Sequence, residues 1–155
     1  MPVNPVPLLQ DYDAQGNATV QNLRDPTADG DATSKSYVDD LVRKITANAA
    51  QALSGHRAVL ITPSDEADYP ALATVLDGQL IAGITAGAAA QGDPVTIHTA
   101  GPITEPGWTW TPGPVFAGDN GVLTQTPPAG SWVRMIGMAV SPTKIIINLQ
   151  PVILT

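Results

Sequence analysis

The sequence has no cysteine and few charged or aromatic residues. The absence of cysteine excludes disulfides, thiolate catalysis and Cys-ligated metal centres. Charged residues make up 14% of the chain and aromatic residues 5%, with a single Phe, so a core must be built from small and branched side chains. The formal net charge is −7 and the basic residues form no cluster, which argues against binding to nucleic-acid phosphates.

Long apolar runs are also lacking. No stretch reaches the roughly 18 apolar residues that a membrane-spanning helix needs. The first residues, Met1 to Pro5, do not resemble the basic and then apolar start of a secretion signal. We therefore expect neither a membrane span nor a secretion signal.

Glycine and proline are abundant, with 14 Gly and 15 Pro among 155 residues and no collagen-like period. This composition favours many short strands and turns. Three regions differ in composition: a Pro- and Asp-rich arm over residues 1–30, a helix over 31–55, and a β domain over 56–155. The predicted fold class is mainly β with one helix, the β domain being an antiparallel barrel or sandwich.

The helix predicted over 31–55 has capping residues and a narrow apolar stripe. Asp31 or Thr33 can cap its start, and Gly55 stands where a helix commonly ends. Inward positions follow at spacings of 3, 4, 3 and 4, which is typical of a coiled coil. We predict a trimeric coiled-coil neck, the alternative being that Val38, Leu41 and Ile45 pack on the chain's own β region. The predicted trimer contacts are Val38, Leu41, Ile45, Asn48 and Ala52.

The β domain is predicted from short runs of strand-forming residues separated by turn signals. Residues 134–140 and 145–147 are apolar on both faces of a strand, so we expect both faces to be covered, by the domain or by a neighbouring subunit. The predicted strands are 58–62, 79–84, 94–98, 107–111, 115–116, 132–140, 144–149 and 152–154.

Side chains that could carry catalysis or bind metal are few. His56 and His98 are the only histidines and neither lies in a catalytic or metal-binding motif. Asp65, Glu66 and Asp68 lack the pattern of a calcium loop and are expected to form a solvated acidic loop. We predict no catalytic residue, no metal and no cofactor; the alternative for either histidine is a site shared by three chains on a threefold axis.

Two tryptophans, Trp108 and Trp110, lie two residues apart and would share one face of a strand. Such a pair could stack on a sugar or on the surface of a partner. The alternative is that both belong to the core or to a trimer interface.

The region between the arm and the helix carries a composite motif. Asn22-Leu23-Arg24-Asp25-Pro26-Thr27 is followed by Asp31-Ala32-Thr33-Ser34-Lys35-Ser36-Tyr37-Val38-Asp39. Together with its flanks, over residues 17–45, this motif resembles the junction of bacteriophage tail-fibre proteins. In that junction a strand ends in an Asn-Leu-x-x-Pro turn and Asp-Ala-x-x-Lys-x-Tyr-Val-Asp then leads into a helix.

Glycine-containing turns of the β region are similar, more loosely, to those of the small β domains of phage fibres and capsid-decoration proteins. The residues that carry this similarity are Ala82-Gly83-Ile84, Gly92-Asp93-Pro94-Val95, Gly113-Pro114-Val115-Phe116, Gly121-Val122-Leu123-Thr124 and Ile136-Gly137-Met138-Ala139.

The resemblance implies a structural protein exposed on a phage particle. The expected molecule is a short homotrimeric tail fibre with an N-terminal docking arm and a β tip that binds a glycan or protein of the host surface, without nucleic-acid binding or membrane insertion. The alternative is a capsid-bound head fibre or decoration protein. The residues expected to dock the arm on other virion proteins are Val6, Leu8, Leu9, Val20 and Leu23, and Trp108 and Trp110 are the expected receptor contacts.

A glycan-degrading tip is the competing hypothesis from another class of protein. Such an enzyme needs carboxylates that converge on a groove. Asp77, Asp93, Glu105 and Asp119 are the candidates, but each stands beside a turn signal, where acidic residues are common. We therefore predict that the protein is not an enzyme.

Overall fold

The computed structural model of the protein describes Val38 and residues 43–155. The chain divides into two units between Val38 and Asp39, and all strands of the described residues belong to the second unit. These strands are β1 (Lys44–Ala49), β2 (Ala58–Ile61), β3 (Glu66–Asp68), β4 (Ile81–Thr85), β5 (Pro94–His98), β6 (Gly101–Thr104), β7 (Gly113–Ala117), β8 (Leu123–Thr124), β9 (Trp132–Val133), β10 (Met135–Ser141), β11 (Lys144–Ile147) and β12 (Ile153–Leu154). A short helix, α1 (Val75–Leu80), precedes β4, and a single 3-10 turn spans Asp119–Gly121.

The first five strands form a closed barrel in the order β1-β3-β2-β4-β5. Neighbouring strands are antiparallel except for β1 and β3, which are parallel. β1 pairs with β5 along five consecutive residues, from Lys44 opposite His98 to Asn48 opposite Pro94. Closure leaves the barrel without an unpaired edge strand.

Five of the remaining strands form an open antiparallel sheet in the order β6-β11-β10-β7-β8. β10 is its longest strand and lies at its centre. The two edges are short: β6 contains Pro102, and β8 has only two residues. The last strand, β12, pairs with β9 in a separate two-stranded sheet.

Two apolar clusters stabilise this arrangement. The first lies within the barrel and consists of small and medium side chains, namely Ala49, Leu53, Val59, Ala67, Val95 and Ile97. The second joins β2 and β4 to the inner face of the open sheet, with Ala58 and Ile84 in one buried cluster with Ile136 and Ile145. Because the second cluster contains residues of both, the barrel and the open sheet form one continuous packed unit.

The helix α1 is held by two side chains from β9 and the residue after it. Trp132 is fully buried, and its Nε1 donates a hydrogen bond to the carbonyl oxygen of Ala71 at 3.2 Å. The helix approaches this indole so closely that a Cβ at Gly78 would lie 2.6 Å from Cδ2 of Trp132. Glycine at this helical position is therefore a packing requirement.

Arg134 binds the C-terminal end of the same helix. Its Nη1 donates to the carbonyl oxygens of Gly78, Gln79 and Ile81 at 2.8, 3.0 and 3.1 Å, and its Nε donates to Gln150 O at 3.0 Å. Desolvation by burial lowers the pKa of the Arg134 guanidinium from its ordinary value. The carbonyls that end a helix have no partners within it, so this cation satisfies groups that would otherwise be unpaired.

The helix predicted over 31–55 is wrong beyond residue 43. Val38 and Arg43 are helical, but Lys44–Ala49 forms β1. β5 pairs with Lys44–Asn48 and β3 with Asn48 and Ala49, and Ile45 and Thr46 are β-branched residues that suit a strand. Pairing within the barrel therefore outweighs the capping and spacing signals that favoured a helix.

The predicted fold class, mainly β with a helix, is confirmed, and several strand predictions are confirmed with it. Residues 58–61 and 94–98 form strands as expected. The strand predicted over 107–111 is wrong, and the one predicted over 79–84 begins inside α1. The coiled-coil neck and the trimer stay predictions.

Candidate functional site

An open cleft of about 400 Å³ lies where the loop before β2 meets the loop after β6 and the start of β8. It contains the two tryptophans that the sequence singled out, together with a histidine, an arginine and a glutamate. The residues that line it are Gly55, His56, Arg57, Glu105, Gly107, Trp108, Trp110, Val122 and Leu123.

The tryptophans meet although they do not lie on a strand. β6 ends at Thr104, and Pro106 and Gly107 then turn the chain. The turn is closed by hydrogen bonds to Glu105: Trp108 N donates to its carbonyl oxygen at 3.1 Å and Gly107 N to its Oε1 at 3.0 Å. The alternation that predicted a strand arises here from an irregular segment.

The two indole rings lie 5.7 Å apart between centroids, with 59° between their planes. Both side chains are half-buried and pack against the larger apolar cluster. The main chain of Trp110 is anchored by a 2.9 Å hydrogen bond from its N to Pro142 O. The pair is thus part of the wall of the domain and presents a partly exposed aromatic surface.

His56 completes the aromatic surface. Its ring contacts Trp108 in a T-shaped arrangement, with 5.4 Å between centroids and 74° between planes. Its Nδ1 lies 3.4 Å from Oε2 of Glu105. His56 has a φ of 57°, a left-handed conformation that few residues other than glycine adopt, so the tight turn must be held from outside.

The buried residue Thr85 holds this turn. Its Oγ1 donates to Ser54 O at 2.8 Å and accepts from Arg57 N at 3.1 Å, and His56 N donates to Thr85 O at 2.9 Å. Thr85 is completely buried, so these bonds are shielded from competing water. These bonds therefore fix the main chain of the strained turn from which the His56 ring projects.

Arg57 supplies the positive charge beside the cleft. Its Nη1 donates to Asn120 O at 3.1 Å, and its guanidinium carbon lies 5.8 Å from the centre of the Tyr69 ring. Arg57 and Glu105 thus give the aromatic cleft one cationic and one anionic group. Neutral polar ligands with several hydroxyl groups suit such a mixture of flat rings and hydrogen-bonding groups.

Sequence reasoning identified the tryptophans but did not connect them with His56 and Glu105. The signal for His56 was the turn Ser54-Gly55-His56-Arg57 before a strong strand, and nothing in the sequence paired that turn with a segment some 50 residues later. His98 lies elsewhere, on β5 opposite Lys44 and Ile84.

The predicted trimer contacts are scattered. Val38 is helical and exposed, Ile45 and Asn48 lie in β1, and Ala52 is exposed in the loop that follows. A seam of helical spacing therefore does not run through Ile45, Asn48 and Ala52. Leu41 lies outside the described residues, as do the five predicted docking residues Val6, Leu8, Leu9, Val20 and Leu23.

The carboxylates considered for glycan cleavage bind nearby main chain. Asp77 Oδ2 accepts from Ala71 N at 2.9 Å, and Asp119 Oδ1 from Leu72 N at 3.4 Å, so both support one loop. Glu105 is the carboxylate that lines the aromatic cleft. Asp93 lies in the turn before β5.

The acidic segment Asp65 to Asp68 is only partly a loop. Asp65 has a φ of 62° in a turn, while Glu66–Asp68 forms β3, because these residues complete the barrel between β1 and β2. Within residue 38 and residues 43–155, no group of three or more histidines and carboxylates is arranged to hold a metal ion. In the same part of the chain, no helix is long and apolar enough to cross a membrane.

Comparison with known proteins finds no protein-family model, no curated protein and no solved structure that matches this chain.

Proposed function

We propose that this chain is a structural protein of a bacteriophage particle. It forms a short homotrimeric tail fibre that docks on other virion proteins through residues 1–30 and binds the host surface through its β domain. The resemblance of residues 22–39 to the tail-fibre junction supports the proposal that the protein is attached to the tail. The aromatic cleft supports the binding role.

The observation that carries the binding role is the contact of Trp108 with both Trp110 and His56 beside Glu105. Saccharides present flat apolar faces bordered by hydroxyl groups, so they suit aromatic rings flanked by charged hydrogen-bonding groups. The turn held by Thr85 fixes the main chain of His56 before any ligand arrives, which reduces the entropy lost on binding. We propose a host envelope glycan as the ligand, bound without cleavage.

Titration of the purified protein with host envelope glycans, followed by tryptophan fluorescence, tests this proposal. Trp108→Ala should abolish binding because it removes the ring that contacts both Trp110 and His56. Leu76→Ala is the matched control: Leu76 is an exposed apolar residue of α1 outside the cleft, and this variant should bind as the wild type does. Circular dichroism establishes that each variant is folded.

Glu105→Gln provides a milder second variant. It keeps the size of the side chain and removes the charge beside His56, so binding should weaken while the fold persists. Binding that is unchanged in both Trp108→Ala and Glu105→Gln contradicts a glycan site in the cleft. Glycan chain cleavage that Glu105→Gln abolishes would instead establish the competing enzymatic role.

A capsid-bound head fibre or decoration protein is the second candidate. The observation that favours it is the large share of the chain, residues 43–155, that folds into β structure with an unpartnered apolar sheet face, described below. Electron microscopy of particles labelled with an antibody to the β domain separates the candidates. Label at the tail supports the fibre, and label over the capsid supports decoration.

A further inference from the structure

The outer face of the open sheet is apolar. Register places Pro102, Ile146, Met138 and Pro114 side by side across β6, β11, β10 and β7. All four are exposed, with Met138 44% and Ile146 42% accessible. Val140, also 44% accessible, lies next along β10. We call these five residues the outer face.

An apolar pocket continues the outer face at one end. Met135, three residues before Met138 on β10, is the direct partner of Phe116, two residues after Pro114 on β7. They line a pocket of about 410 Å³ together with Val133, Gln150, Pro151 and Ile153. Ile153 is 64% accessible, so the apolar surface extends from β6 to the C-terminal strand.

The area of this exposed apolar surface is similar to that of an interaction site. With strands about 4.8 Å apart and about 3.4 Å per residue, the four-stranded row and the length of β10 span roughly 14 Å by 20 Å before the side chains are counted. Thr104 and Lys144 lie at one corner of this area. The remainder, together with the adjoining pocket, reaches the few hundred Å² of contiguous apolar surface that proteins expose mainly at functional sites.

The outer face carries no carboxylate. Lys144 is the only charged residue on the five strands of the open sheet, and its alternation with Ile146 along β11 places it on the outer side, opposite Thr104. All acidic side chains of the described residues lie on the barrel, on α1 or in loops, namely Asp65, Glu66, Asp68, Asp77, Asp93, Glu105 and Asp119. Copies of a chain with net charge −7 repel each other, and they can approach most closely where neither presents a carboxylate.

The edges of the same sheet do not favour association by strand addition. Pro102 removes a main-chain donor from the edge strand β6, and β8 offers only two residues at the other edge. Proline and short strands are the usual means of blocking edge-to-edge pairing. A partner must therefore bind the face and not the edge.

We propose that copies of this chain associate through the outer face, so that Met138, Ile146 and the residues around them are buried between subunits. The inference deepens the proposed function and rests on its homo-oligomer, which it assigns to the β domain.

The test compares the masses of variants by light scattering over a range of concentrations. The wild type should form a multiple of 16.0 kDa, with three copies expected. Met138→Glu should weaken association by about 100-fold or more, because each contact would bury carboxylates against an apolar surface. Leu76→Glu is the matched control, with the same charge change at an exposed apolar residue off the outer face, and it should keep the wild-type mass.

Maleimide labelling keeps the test decisive if Met138→Glu does not fold. The chain has no cysteine, so Met138→Cys and Leu76→Cys each introduce a single thiol. The thiol at 138 should react slowly at concentrations where the protein is assembled and quickly on dilution, while the thiol at 76 reacts alike at both.

The outcomes separate the two proposals. A folded Met138→Glu with the wild-type mass, or a thiol at 138 that reacts equally fast in the assembled and the diluted protein, overturns the outer-face interface and leaves the homo-oligomer standing. A wild type that stays at 16.0 kDa at every concentration overturns both the interface and the homotrimer, while the glycan titration still tests the cleft.

Discussion

The barrel and the open sheet protect their strands from water in different ways. The barrel closes on itself, so it has no edge, and its interior combines small side chains such as Ala49 and Ala67 with medium ones such as Ile97. The open sheet has two edges and relies on larger residues, with Ile136, Ile145 and Ile147 on its inner face. Its outer face, however, is also apolar.

The two faces of the open sheet differ in whether folding of the single chain accounts for their apolar side chains. An apolar inner face is explained by the cluster that it forms with β2 and β4. An apolar outer face contributes less to the folded single chain, because a large part of its side chains remains accessible to water. The barrel, whose outer surface carries Glu66 and Asp68 on β3, has no such excess. This difference is the reason why we propose the open sheet, and not the barrel, as the side that binds a partner.

The largest expected effect comes from shortening one side chain of β10 on each face of the open sheet in turn. Ile136→Ala should lower the free energy of unfolding by about 2–5 kcal/mol, because it leaves a cavity in the larger cluster. Met138→Ala, two residues along the same strand, should cost less than about 1 kcal/mol in the dissociated chain. Urea denaturation at low protein concentration measures both, and equal losses would contradict the assignment of the two faces.

The next prediction concerns the contact that ties α1 to the open-sheet side of the unit. Replacing glycine by alanine in a helix normally stabilises it by about 1 kcal/mol. Gly78→Ala should do the opposite and destabilise the protein by about 1–3 kcal/mol, because the new Cβ would lie 2.6 Å from the fully buried Trp132 ring.

Gly87→Ala is the control for Gly78→Ala. A Cβ at Gly87 meets no atom within 4 Å, so this substitution should change the free energy of unfolding by less than about 0.5 kcal/mol. Thermal unfolding followed by circular dichroism compares the two. A stabilised Gly78→Ala would mean that α1 does not pack on Trp132 as closely as described.

The sequence predicted strands of both the barrel and the open sheet, but it missed β1 and β3 of the barrel and β6 and β8 of the open sheet. Strands such as β5 and β11 were found because their residues are strongly β-forming and bounded by turn signals. β1 was missed because Lys44–Ala49 has no Pro or Gly and fits a helical spacing, and only its pairing with distant strands makes it extended. Local signals carry no information on such partners.

Local signals also explain why the sequence identified only part of the candidate site. Trp108 and Trp110 stand out because aromatic residues are rare in this chain. Their contact with His56 depends on a turn that is fixed by Thr85, a residue from β4. A side-chain hydrogen bond that joins segments some 30 residues apart leaves no pattern in the sequence.

The last prediction compares two tryptophans, of which one has a hydrogen-bond partner for its indole N–H and the other has none. The Nε1 of Trp110 is buried and has no hydrogen-bond partner among the described residues, whereas the Nε1 of Trp132 donates to Ala71 O. A buried donor without a partner costs free energy, so Trp110→Phe gains from removing the N–H what it loses in packing. It should change the free energy of unfolding by less than about 1 kcal/mol.

Trp132→Phe is the matched comparison and should cost about 1–3 kcal/mol, because it leaves the Ala71 carbonyl without its donor and opens space beside Gly78. Urea denaturation of both variants at low protein concentration gives the two values. Equal losses would indicate that Trp110 is as firmly part of the core as Trp132. A small loss at Trp110 together with a large one at Trp132 would leave the Trp110 ring available for a ligand at the cleft, since residues selected for binding often contribute little to the stability of the fold.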